Sequence, residues 1–142
     1  MSLAAKMLSV DLSSGEILRQ DLPEAVTRKF LSGRGINAWL VARHLRPDSD
    51  PLAPDNVLVF SSGLLTGTAA ASSSRLHVNA ISPLTGLLGS SNVGGYFGPE
   101  LRAAGVQTLL IHGRAQHPAT LNIDGERAEL RDTSHLWGLD TR

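Results

Sequence analysis

No apolar run in this sequence is long. Val57-Leu58-Val59-Phe60 and the alternating Leu76-His77-Val78-Asn79-Ala80-Ile81 are bounded by Ser, Asp, Asn or Arg, with Gly and Pro close by. Runs of this length, β-branched or alternating, suit strands. They fall far short of the ~20 apolar residues that a membrane helix needs. The chain is therefore expected to build its core from several short elements. Lys6–Leu12 and Glu16–Asp21 flank Ser13-Ser14-Gly15 and read as a β-hairpin; Thr120–Asp124, Gly125 and Arg127–Arg131 read as another. Thr108–His112 is a further strand. Pro23 suits the first turn of a helix through Leu31, and Gly33 is placed to end it in the left-handed conformation. A second helix runs from Ile36 to Leu45, with Ile36, Leu40, Val41 and Leu45 on one face. A third opens at Pro99, reaches Ala104 and is closed by Gly105. Arg46–Asn56 carries prolines and aspartates and reads as a loop. The fold class is α+β: a sheet-rich domain over residues 6–142 with about three short helices.

Gly63-Leu64-Leu65-Thr66-Gly67 echoes Ser82-Pro83-Leu84-Thr85-Gly86, each after a strand, which raises the prospect of a duplicated β-substructure. The 142 residues fit one domain, 42% hydrophobic, and a domain of this size buries roughly 68–70% of its unfolded surface. Lys+Arg and Asp+Glu are both 13, so the basic excess of a nucleic-acid domain is missing. With no cysteine, the chain by itself offers no thiolate for zinc or an iron–sulfur cluster. No signal peptide is legible, and a cytoplasmic location is the default expectation.

The stretch Asn92-Val93-Gly94-Gly95-Tyr96-Phe97-Gly98-Pro99 places glycines ahead of an expected helix. Glycines let an anion approach bare backbone, and a helix start carries unpaired N–H groups. A tight turn needing positive φ explains the same residues, and from this stretch alone both readings stand. Arg75, at the start of an expected strand after a small-residue loop, adds a fork of donors suited to phosphate. Other chemistry is poorly served. The five histidines show no metal-ligand spacing, and His77 and His112 read as core-edge packing. There is no Gly-x-Ser-x-Gly elbow or phosphate loop. No close pair of acids suggests acid–base work.

Four motifs, "FLSGRGINAWLV", "GLLTGT", "AISPLTGLLGSSNVGGYFGPEL" and "SHLWGLDT", occur in order. Together, over Lys6 to Thr141, the chain resembles the N-terminal domain of the tungsten-containing aldehyde:ferredoxin oxidoreductases. The resemblance implies a sheet-rich base for a tungsten (or molybdenum) bis-pterin whose phosphates are bridged by magnesium. It implies that Arg75 binds those phosphates. The turn Asn92, Val93, Gly94 and Gly95 would supply backbone groups, with a carbonyl at Asn92 offered to the magnesium. Aldehyde substrate, ferredoxin as electron acceptor and a homodimer are further implications.

The [4Fe-4S] cluster and the catalytic groups of the family lie in later helical domains. The chain is thus expected to be a piece of a longer protein, without oxidoreductase activity of its own. A different class of function, a stand-alone phosphate- or pterin-binding module, would be marked by a stop codon after Arg142. Two positions depart from the family pattern: Ala69–Ser74 is poorer in Pro and Gly, and Asn37 stands where a small residue is expected. Loops that meet a ligand are expected to be mobile without it, which singles out Leu64–Ser74 and Ser90–Gly95.

Overall fold

The computed structural model describes residues 5–46 and 49–140. Positions 47–48 of the expected loop, and 141–142 at the end of the expected domain, lie outside the described residues. The strands are β1 (Lys6–Asp11), β2 (Ile17–Asp21), β3 (Leu58–Ser62), β4 (Leu76–Ile81), β5 (Leu88–Val93), β6 (Thr108–His112), β7 (Ala119–Asp124) and β8 (Arg127–Asp132). Helices α1 (Glu24–Phe30), α2 (Arg34–His44) and α3 (Phe97–Ala103) are interspersed. The domain is α+β and sheet-rich, as the sequence suggests.

Six strands form one mixed sheet in the order β2-β1-β6-β3-β4-β5, and β7 and β8 form a separate hairpin. Only β1 and β6 run parallel; the other neighbours are antiparallel. Both faces of the sheet are covered, because side chains alternate across a strand. On one face Met7, Val59, Ile81 and Leu110 pack with Ile36, Leu40 and Val41 of α2. On the other, Leu8, Val10, Leu76 and Leu109 meet Leu101 of α3, with Leu121, Ile123 and Leu130 of the hairpin against them.

Several boundaries differ from expectation for local reasons. Gly33 does have positive φ, +59°, but it opens α2 rather than closing α1; the exposed Leu31 takes the positive φ after α1. Leu45 is the exposed cap of α2 and leaves the buried face. Helix α3 starts at Phe97, so Pro99 is its third residue. A proline is tolerated there because first-turn N–H groups have no intrahelical partner. Gly105 closes α3 with φ +74°. Strand β5, "LGSSNV", is absent from the sequence reading; its Gly, Ser and Asn have low strand propensity, and pairing with β4 imposes the conformation. Ser90–Val93, expected among the mobile residues, is thus a paired segment at the sheet's edge.

The five-residue echo shares a final positive-φ glycine but differs in its closing hydrogen bond, Thr66 N–H to the Gly63 carbonyl in one turn and Gly86 N–H to the Ser82 carbonyl in the other, and in its side-chain work. Gly67 and Gly86 end their turns with φ +76° and +67°. The buried Thr66 hydroxyl bonds the carbonyls of Ser73 (2.8 Å) and Arg75 (3.1 Å), whereas the exposed Thr85 hydroxyl accepts from Leu87 N–H at 3.3 Å.

Candidate functional site

Arg75 lies at the end of the loop between β3 and β4, and that loop is tied to the sheet at its last residue. Gly63 N–H donates to the Arg75 carbonyl at 2.8 Å, and the Arg75 N–H donates to the Ser73 carbonyl at 2.9 Å. With the Thr66 bonds, the backbone at Arg75 is held from several sides. Its side chain stays exposed and reaches across the β4–β5 ladder, where Nη1 donates to Asn92 Oδ1 at 2.9 Å.

The backbone of Asn92 faces the other way. Ser82 N–H donates to the Leu87 carbonyl at 2.9 Å, one step beyond the Ile81–Leu88 pair. Antiparallel ladders alternate between pairs that exchange hydrogen bonds and pairs that do not. Counted along the register, Leu76–Val93 is an exchanging pair and His77–Asn92 is not. The N–H and C=O of Asn92 therefore point away from β4. Since β5 is the last strand of the sheet, they point to an open edge. No donor among the described residues reaches that carbonyl. Asn92 thus divides its labour: the side chain braces Arg75, and the main-chain oxygen is free.

The remaining turn positions fall into place around this pair. Val93 has its backbone groups engaged with Leu76, so it is the one expected contact residue whose N–H and C=O are already paired. Gly94 lies beside the guanidinium: a Cβ there would come within 4.0 Å of Arg75 Nη1 and 3.7 Å of the Ser74 carbonyl. Gly95 has φ +94° and open space where a side chain would stand. The short helix α3 follows directly.

Two residues at the site escaped the sequence reading. His77, half-buried at the core's edge, is directly opposite Asn92. Burial holds its pKa below the ordinary histidine value, and the charges of Arg34 and Arg75 push in the same direction. Arg34, the first residue of α2, is the second cation beside that ring. Among the described residues neither Arg34 nor Arg75 has a carboxylate in ion-pair range. The signal was present in the spacing: Arg75 and His77 are two apart in extended chain and share a face.

Guanidinium, backbone N–H and a free carbonyl thus meet at one edge of the sheet in this α+β domain. Comparison with known proteins identifies its family. Residues 7–142 match the family model "Aldehyde ferredoxin oxidoreductase, N-terminal domain", and the chain belongs to that family. It is similar to the tungsten-containing aldehyde ferredoxin oxidoreductase of Pyrococcus furiosus, 40% identical over 94% of this chain and 22% of that protein. It is also similar to the aliphatic sulfonate oxidoreductase, WOR-like subunit, of the same organism, 32% identical over 94% and 22%. Among solved structures, the active-site complex BamBC of benzoyl coenzyme A reductase with 1,5-dienoyl-CoA superposes with a TM-score of 0.91. That match has 36% identity and covers 93% of this chain and 20% of the other. The chain thus spans about a fifth of the length of these relatives.

Proposed function

We propose that this chain is the cofactor-cradling part of an oxidoreductase that converts aldehydes to carboxylic acids, with ferredoxin as electron acceptor. In this reading Arg75 and the backbone at Gly94 and Gly95 hold the phosphates of a tungsten (or molybdenum) bis-pterin. Asn92 offers its main-chain oxygen to a magnesium ion between those phosphates, and Val93 keeps the strand register that aims it. When bound, the cofactor supplies the two-electron chemistry; the domain binds and orients it. A [4Fe-4S] cluster would be held elsewhere in a longer parent, because these 142 residues contain no cysteine.

The observation that carries the proposal is the Arg75–Asn92 pair, with its free carbonyl beside an arginine that lacks a carboxylate. The donor set fits the group. Arginine matches phosphate geometry, and magnesium prefers oxygen ligands shared with phosphates over a dedicated side-chain cage. No three His, Cys, Asp or Glu side chains converge among the described residues, so the oxygen at Asn92 would be the protein's contribution. No helix among the described residues is long and apolar enough to cross a membrane. A ferredoxin partner and a homodimer belong to the proposal as family traits.

The test is elemental analysis of the parent protein, made in cells able to synthesise the cofactor, beside its Arg75→Ala variant. The proposal expects tungsten or molybdenum with cluster-level iron in the parent, and a lower content of the first metal in the folded variant. Full occupancy in Arg75→Ala would remove Arg75 from the phosphate role. Absence of all three metals from folded parent protein would reject the oxidoreductase reading.

A further inference from the structure

Asn92 can brace Arg75 only if its amide is turned the right way. Rotated by half a turn, the NH2 group would face the guanidinium, donor against donor. What selects the orientation is on the other side of the amide. Asn92 Nδ2 lies 3.0 Å from His77 Nε2 and 3.3 Å from Nδ1. Two nitrogens of one imidazole cannot both aim in-plane lone pairs at a single atom, so the amide lies across the ring face. Such N–H···π contacts are weak individually, but the alternative orientation would set the amide oxygen on the same π cloud.

The ring itself has little freedom. Buried Asn37 of α2 donates to the His77 carbonyl at 3.0 Å, which fixes the strand at that residue. Gly33 also stands close to the ring: a Cβ there would come within 2.9 Å of His77 Cδ2. Helix α2 and the residue that precedes it thus both bear on His77, Asn37 at its carbonyl and Gly33 near its ring.

We infer that His77 is a positioning residue for Arg75: its ring, lying against the Asn92 amide and close to Gly33, keeps Asn92 Oδ1 turned toward the guanidinium. The inference rests on the anion-site reading of Arg75. Its reach is from the start of α2, more than 40 residues earlier in the chain, through β4 and β5 to the Arg75 side chain.

The test uses nuclear magnetic resonance on the 142-residue chain, with inorganic pyrophosphate as the anion probe. In the wild type the Asn92 side-chain amide protons should resonate upfield of ordinary asparagine values, because they lie over the ring. His77→Ala should abolish that shift and lower pyrophosphate affinity roughly tenfold, the equivalent of one misplaced charge-assisted hydrogen bond. His77→Phe, which keeps a flat ring, should restore the upfield shift and most of the affinity. Asn92 amide resonances that do not move in His77→Ala would overturn the inference, as would a lost shift with unchanged affinity. If the wild type gives the shift but binds no pyrophosphate, the anion-site reading fails while the link from His77 to Asn92 stands.

Discussion

Asn37 and Asn79 meet side chain to side chain, 2.9 Å apart, inside the layer where α2 packs on β4. Both are fully or almost fully buried. The Asn37 amide also faces the Val59 carbonyl at 3.2 Å and the His77 carbonyl at 3.0 Å, and Asn79 Nδ2 donates to the Gly89 carbonyl at 3.0 Å. Asn37 Oδ1 is buried without a partner among the described residues. Asn37→Ala should cost about 1–3 kcal/mol, since it strands buried acceptors that water cannot reach. Asn37→Ala with Asn79→Val should recover much of that loss, because replacing both members of a buried pair by apolar groups can be nearly neutral. A double-mutant cycle by urea unfolding measures the coupling; strict additivity would show that the pair does not act as a unit.

Gly33→Ala should be damaging out of proportion to one methyl group. The residue has φ +59°, and the added carbon would meet the His77 ring at 2.9 Å. A loss of about 1–3 kcal/mol is expected from the left-handed backbone alone. The diagnostic is the His77 ring resonances: they should shift in Gly33→Ala and stay put in Gly15→Ala, where a positive-φ glycine has open space around it.

Thr66→Val tests how the Arg75 loop is held. The substitution keeps the shape and removes the hydroxyl that bonds the Ser73 and Arg75 carbonyls. It should destabilise the domain by about 1–2 kcal/mol. Amide exchange over Leu64–Ser74 should quicken while β4 is unaffected. Exchange in that loop as slow as in Leu76–Ile81 in the wild type would contradict its placement at the low-stability end of the domain.

Acid should erode stability through hydrogen-bonded carboxylates of β1 and β8. Asp11 accepts from Ser13 N–H and the Ser14 hydroxyl, each at 2.8 Å, and these bonds hold its pKa below the ordinary 3.8. The unfolded chain therefore takes up that proton first as pH falls. The contribution is complete above the ordinary value and disappears as pH drops through the depressed one. Glu129, held down chiefly by Arg131, and Asp132, held down by Ser134, act with the same sign. Asp11→Asn should flatten part of the acid limb in a pH series of urea midpoints, and a limb of unchanged steepness would dismiss Asp11 as a contributor.

The strands that bury large residues were legible in the sequence because β-branched and leucine side chains repeat with the pleat. Strand β5 was not, since Gly89, Ser90, Ser91 and Asn92 advertise a loop, and their extended form is imposed by their ladder partners Ala80, Asn79, Val78 and His77 in β4. The same holds at the site. Arg75 and the glycines could be read as donors and open backbone. Arg34 and His77 acquire their place only when α2 lies on β4, a contact between residues more than 40 apart in the chain, as in the bond from Asn37 to Asn79. Asn37, which stands where the family pattern leads one to expect a small residue, makes its bonds in that same contact.

The outer strand β5 has a cost that its sequence is built to limit. A naked row of alternating amides and carbonyls invites a foreign strand to add itself. Burying that row under the chain's own residues would also hide the Asn92 oxygen. The serines, glycine and asparagine of β5 are poor at sustaining an intruder's extended pairing, and they supply little of the greasy surface on which sheets stack. Replacing Ser90 and Ser91 by valines would strengthen β5 as a strand and, by the same stroke, turn an open sheet edge into a seed for self-association.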